Sequence, residues 1–275
     1  MRKPRNQAGC GISRGGGRMF MLIRGARVFN VYRKIFEKKQ ILLRDGIFRD
    51  IGESLPVRGE EELDAEGLYL IPGLVDIHMH IESSMTSPRE FSRAVLPWGT
   101  CTVVADPHEI ANVFGIEGIR RFMEAQTPLD IFYGIPSSVP STSPALETTG
   151  GLIGPEEVAA LAKDPRILCL GEMMNAKELC AESAGLGKEN RTREILAAFK
   201  GERPFFPVEG HCPHLRGSEL SAFIAAGVWS DHTLQDPESI LEKVSKGMFL
   251  EIQRKSLTRE NIETIVENRL FEHLA

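Results

Sequence analysis

The sequence predicts an α/β fold, an incomplete TIM-like (β/α)8 barrel with a small N-terminal β unit. Three observations carry this. From residue 68 onward, short apolar runs alternate with amphipathic stretches, which implies right-handed βαβ units around a parallel sheet. Seven such strand–helix pairs precede Ala275, one fewer than a closed barrel has. Histidine and glutamate residues fall at the C-terminal ends of successive runs, the face where barrel active sites lie. A seven-stranded open α/β sheet would satisfy the first two observations; the third favours the barrel.

Residues 1–20, MRKPRNQAGCGISRGGGRMF, hold five basic residues, no acidic ones and a glycine run, which predicts a disordered tail. The tail has no apolar core of the kind a secretory signal needs, and Met19 or Met21 offers an alternative start. Residues 21–67 consist of alternating runs broken by Arg-Gly, Asp-Gly and Glu-Gly, and Asp45-Gly46 is a hairpin signal. A unit of about 45 residues cannot bury a full core alone, so it is expected to pack on the barrel or to await further strands.

The first barrel strand lies in LYLIPGLVDIHMHIESS, residues 68–84, and its apolar, β-branched start predicts burial on both faces. Residues two apart in a strand point the same way, so His78 and His80 can aim two imidazoles at one point, with Asp76 in phase. Further strands are expected at 100–107, 129–140, 166–175, 204–213, 228–232 and 248–254. Helices are expected at 87–99, 116–126, 154–164, 191–202, 217–227, 236–247 and 258–274, the first capped by Ser87 with Pro88 following. The chain stops where an eighth strand would begin, so strands one and seven are expected to keep open edges.

Composition narrows the function. The 275 residues are 42% hydrophobic and 26% charged with a formal net charge of −5, which argues against nucleic-acid and membrane partners. Five cysteines without C-x-x-C spacing read as reduced thiols of a cytoplasmic protein. No apolar run reaches the length of a membrane span.

The candidate ligands follow from strand-end placement. His78 and His80 end strand one, Glu172 ends strand four, and His211 and His232 end strands five and six. A carboxylate after the apolar run ILCLG needs a partner, and bridging two cations would meet that need. Four imidazoles and one carboxylate exceed the roughly three protein ligands of a single catalytic zinc. They suggest two divalent ions about 3.5–4 Å apart. Glu82, in phase with His80, either handles a proton or hydrogen-bonds substrate, or else orients the histidines. His108 and Glu109 follow strand two, as substrate contacts or as plain loop. Ser137 and Ser138 follow strand three, lining a pocket or forming a turn. Asp231 faces away from His232 and reads as structural, and neither Cys212 nor His214 is assigned a role.

The stretch PGLVDIHMH resembles the first barrel strand of the amidohydrolase superfamily. The run HMHIESSM, with ADPHEIANV (105–113), GEMMN (171–175), VEGHCP (208–213) and GVWSDH (227–232), resembles the adenine deaminase branch, in order from about residue 20 to the end. The resemblance implies a metal-dependent hydrolase barrel whose N-terminal segment belongs to a β-sandwich. It implies His78 and His80 on one metal, His211 and His232 on the other, and Glu172 bridging; iron or manganese is expected, with zinc also compatible. The implied reaction is deamination of adenine to hypoxanthine and ammonia in purine salvage. Its catalytic candidates are Glu82 and His108, and its substrate-binding candidates Glu109, Ser137 and Ser138. The superfamily's aspartate at the end of strand eight has no counterpart here, so the chain is expected to be truncated and a poor catalyst alone. AKELC after GEMMN and Thr233 after SDH depart from the family pattern and bear on the substrate. Alternatives are hydrolysis of a cyclic amide or imide on the same site, and a non-catalytic, truncated metal-binding chain. The expected partner is a small purine, and a homo-oligomer is left open.

Overall fold

The computed structural model describes residues 20–56, 59, 61–142, 145–181 and 190–275. The expected tail lies, through residue 19, outside the described residues. Two compact units are distinguished. One holds the described residues up to Val75 with Arg93–Thr102 and Thr127–Asp130; the other holds Asp76–Ser92, Val103–Gln126 and Ile131–Ala275.

The N-terminal strands are β1 (Phe20–Arg24), β2 (Arg27–Asn30), β3 (Ile35–Lys38), β4 (Gln40–Arg44), β5 (Ile47–Gly52), β6 (Glu61–Asp64) and β7 (Tyr69–Leu70). They form a four-stranded sheet in the order β5-β4-β1-β6 and a three-stranded sheet in the order β3-β2-β7. The β4–β5 hairpin turns at Asp45 and Gly46, both at positive φ (53° and 75°), as a tight primed turn requires. Ile23, Ala26, Ile41 and Ala65 make a small core, while Ile47, Phe48 and Ile51 on β5 stay exposed.

The following elements are β8 (Leu74–Met79), α1 (Pro88–Val95), β9 (Thr100–Ala105), α2 (His108–Glu124), β10 (Asp130–Pro136), α3 (Pro155–Leu161) and β11 (Ile167–Met173). Then come α4 (Ala176–Cys180), α5 (Arg191–Glu202), β12 (Val208–Gly210), α6 (Gly217–Ala225), β13 (Ser230–Asp231), α7 (Pro237–Ser245), β14 (Phe249–Leu250) and α8 (Arg259–Glu267). The strands β8 to β14 lie side by side in chain order in one curled sheet, parallel from β10 through β14. This is an incomplete TIM-like barrel. Its strands are rich in buried aliphatic residues, among them Val103, Ile135, Ile167, Leu170, Val208 and Leu250. Side-chain caps start the helices where the sequence offers them. Ser87 accepts from the Glu90 N–H (3.4 Å), and Asp236 and Thr258 accept from the N–H groups of Ser239 and Asn261 (2.7 and 3.2 Å).

Four expectations are corrected. β8 is not buried on both faces: Leu74 and Val75 are 52% and 56% exposed, because β8 is the end strand of the sheet. The stretch 108–114, expected as loop, is helical; α2 starts at His108 and breaks at Gly115 (φ 59°, ψ −147°), a conformation that suits glycine. The ladders of β12, β13 and β14 span three, two and two residues, far shorter than the apolar runs around them. Finally, the helix expected over 258–274 ends at Glu267, where Asn268 and the left-handed Arg269 (φ 56°) turn the chain. The last residues then run parallel to β14. Leu250 N–H donates to His273 O (3.0 Å), Ala275 N–H to Leu250 O (2.9 Å) and Ile252 N–H to Ala275 O (2.7 Å). The β14 edge expected to be open is therefore engaged by residues 273–275.

Candidate metal centre

The strand ends of the second unit bring the five expected ligands together. Glu172, on β11, is 5% exposed and stands at the centre. Its Oε1 lies 2.8 Å from His232 Nε2, 3.2 Å from His80 Nε2, 3.3 Å from His78 Nε2 and 3.8 Å from His211 Nδ1. The His78 and His232 rings stack with centroids 3.9 Å apart, and His211 meets His232 edge-on at 5.2 Å. The alternation of β8 delivers His78 and His80 to one side, as their spacing predicts.

His108 joins the cluster from the first turn of α2. Its Nδ1 lies 3.5 Å from Glu172 Oε2, and its Nε2 is 3.0 Å from Ser141 Oγ. Glu82 accepts from the Ile110 N–H through Oε1 (3.0 Å), while its buried Oε2 has no hydrogen-bond partner. Glu109 is half-exposed, 3.1 Å from His80 Nδ1, and accepts from Ser83 Oγ (2.9 Å). Ser137 and Ser138 are buried and donate to the backbone oxygen of Glu172 (2.8 and 3.3 Å). They also border a cavity of about 310 Å³ shared with Ser141, Asn175, Glu178 and Arg191.

The charges are strongly coupled. Burial opposes ionisation of Glu172, but the surrounding histidines outweigh it and hold the carboxyl far below its usual range. Burial would likewise lower His78 and His80; the carboxylates of Glu172 and Glu209 bring His78 up to about 11, and those of Glu109 and Glu172 bring His80 up to about 10. His232 is lowered, chiefly by burial.

A family model described as "Amidohydrolase family" matches residues 69–205. An adenine deaminase of Clostridium perfringens is 51% identical over 257 residues, 93% of this chain and 44% of that protein. An adenine deaminase of Lactobacillus delbrueckii subsp. bulgaricus is 46% identical over 256 residues, again 93% of this chain and 44% of that protein. The chain belongs to the amidohydrolase family. It spans about 44% of the length of these curated relatives. Among solved structures it resembles a D-hydantoinase (TM-score 0.61, 14% identity, 89% of this chain and 60% of that one). It also resembles a β-aspartyl dipeptidase of Fervidobacterium islandicum (TM-score 0.60, 18% identity, 94% and 72%). Both likenesses concern the fold.

The donor set of this amidohydrolase fits divalent cations. Four imidazole nitrogens crowd a single carboxylate oxygen, more than its lone pairs can serve. His78 Nε2, His211 Nδ1 and His232 Nδ1 are buried without hydrogen-bond partners. One atom each of His78, Glu172 and His232 lies within 4.8 Å of the others, close enough to share an ion. Outer groups turn the rings inward: His78 Nδ1 is 3.0 Å from Glu209 Oε2, and His80 Nδ1 is 2.9 Å from Asp106 O. Cys212, beside His211, is buried, and burial and then the Asp231 charge push its thiol up to about 12.

Three carboxylates escaped the sequence reading. Asp106 is buried with both oxygens unpartnered, and burial, then the Glu172 charge, pushes it up to about 7. Glu209 orients His78, and Glu251, buried beside it, is pushed up to about 8 by burial and then by Glu209. The signal was available: each follows an apolar run at a strand end, as Glu172 does, and Glu209 is in phase with His211.

Proposed function

We propose that this chain carries the metal-binding barrel of an adenine deaminase, and that the reaction is hydrolysis of adenine to hypoxanthine and ammonia. The observation that carries this reading is the convergence of His78, His80, His211 and His232 on Glu172, in a chain 46–51% identical to adenine deaminases. In this reading His78 and His80 would hold one divalent ion and His211 and His232 a second, with Glu172 serving both. Manganese or iron suits a set of imidazole and carboxylate, with zinc as the competitor. When bound, such a pair supplies hydroxide at neutral pH.

The chain's own groups do the rest. Oxygen adds to C6 of the purine and the C6–N bond breaks as ammonia leaves. Glu82, whose Oε2 is uncommitted, delivers a proton to a ring nitrogen, then takes one from the hydroxyl added at C6 and passes it to the departing amine, leaving the C6 carbonyl. His108, fixed by Ser141, orients the group at C6. Glu109 accepts from a ring N–H. Ser137 and Ser138 hold the Glu172 backbone in place beneath the ring. Residues 21–67 are read as part of a β-sandwich and 68–275 as the barrel. A cytoplasmic setting accords with free thiols at Cys101, Cys169, Cys180 and Cys212. Among the described residues no helix is long and apolar enough to cross a membrane.

The test is metal analysis with an ammonia-release assay on adenine and on a cyclic imide, run on residues 1–275 and on a chain carried to its relatives' length. Two ions per chain are expected, with adenine turnover in the longer chain and little in the shorter. Turnover of the imide alone would reverse the substrate assignment. A chain that binds no divalent ion would overturn the reading.

A further inference from the structure

Lys243 sits on α7 outside the metal centre, and its side chain is fully buried. Its ammonium donates to Asp231 Oδ2 (2.7 Å), to the backbone oxygen of Cys212 (3.1 Å) and to Gln235 Oε1 (3.2 Å), so all three protons are used. Asp231 is equally committed. Its Oδ1 accepts from the Cys212 N–H (2.9 Å), and its Oδ2 accepts from Thr233 Oγ1 and Gln235 Nε2 (2.6 Å each). Ser239 Oγ closes the cluster on Gln235 Oε1 (2.6 Å). Both backbone groups of Cys212 thus end on side chains.

Where this cluster lies matters. The β12–β13 ladder pairs Glu209 with Ser230 and Gly210 with Asp231, and stops there. His211 and His232 are the next residues on each strand. Beyond the ladder, the Lys243–Asp231 cluster is what ties the chain after His211 to the chain before His232. Stability alone is a weak reason for a buried ion pair, because apolar residues of similar volume often serve as well or better. Apolar residues cannot hold both the N–H and the carbonyl of Cys212.

We propose that Lys243 and Asp231 are positioning residues for the His211–His232 half of the centre, setting the spacing of the two imidazoles that receive the second ion. The inference rests on the two-ion reading above. The prediction is asymmetric: weakening the cluster lowers affinity for one ion and spares the one on His78 and His80.

The experiment titrates metal-stripped full chain with Mn²⁺ and reads stoichiometry and stepwise affinity by calorimetry, for the unmodified protein and for Asp231→Asn/Lys243→Met. That pair removes both charges and keeps an acceptor for the Cys212 N–H. Loss of outer partners of metal ligands typically costs 10–100-fold in affinity. The expected result is a folded variant in which one ion binds about 10-fold or more weakly and the other is unchanged. Equal affinities in variant and unmodified chain overturn the inference alone. Fewer than two ions on the unmodified chain overturn the two-ion reading and this inference with it. Should the double variant not fold, Thr233→Val removes a single bond to Asp231; a selective loss at one of the two ions supports the inference, and no change overturns it.

Discussion

A β-carbon on residue 171 would stand 2.1 Å from Asp106 Oδ2, so the Asp106 carboxylate occupies the space that Gly171 leaves open beside Glu172. Gly171→Ala is therefore an overpacking change at the heart of the cluster. Asp106 is short and buried, so it cannot swing away without disturbing the backbone that holds His80. The expected cost is about 1–3 kcal/mol of stability, with lower metal content. Thermal unfolding and metal analysis check it; unchanged values in both would mean that Asp106 moves freely.

Glu172→Gln keeps the shape of the central side chain and removes its charge. Metal content is expected to fall sharply after dialysis against a weak chelator, while Cys180→Ala, on the short helix α4, retains it. Equal retention in the two variants would remove Glu172 from its bridging place.

Glu82→Gln tests proton handling apart from binding. The amide still accepts from the Ile110 N–H, so metal content is expected to hold. In the longer chain kcat on adenine is expected to drop by about 10²–10⁴-fold with KM little changed. A drop in metal content instead would assign Glu82 to orienting the histidines.

Asp231 contributes a pH-dependent part of stability. Burial alone would raise its carboxyl, but Lys243 outweighs burial and holds it at about 2, below the ordinary 3.8. A depressed carboxyl stabilises the fold in full above its unfolded value, and the contribution is lost as pH falls from about 4 toward 2. The shift corresponds to about 2 kcal/mol. The stability gap between the unmodified chain and Asp231→Asn/Lys243→Met should therefore narrow as pH falls from about 4 toward 2. A gap that stays constant through that range would refute the linkage.

Much of this site was legible because strand chemistry is periodic. His78 and His80 share a face by simple alternation, and Glu172 announces itself as a charge behind ILCLG. Asp106, Glu209 and Glu251 obey the same rule but were passed over, since a lone carboxylate at a strand end reads as solvated until the facing strands are known. The start of α2 was hidden by Pro107 before it and Gly115 within it, both signals of irregular chain. The short ladders of β12–β14 were not legible either: apolar runs mark burial, and burial continues past the point where the backbone pairing stops. The turn at Asn268-Arg269 ended α8 inside a stretch whose helical periodicity runs on.

The make-up of the cluster, four imidazoles around one carboxylate, has a consequence for which ion it would take up. The groups that converge on Glu172 are nitrogen donors around an oxygen donor. Affinity for such donors rises along the first transition row toward copper, so nitrogen and oxygen ligands alone do not select manganese or iron. Occupancy is then decided by which ion the surroundings supply. The same polypeptide grown in iron-rich and in manganese-rich medium is expected to be isolated with different ions.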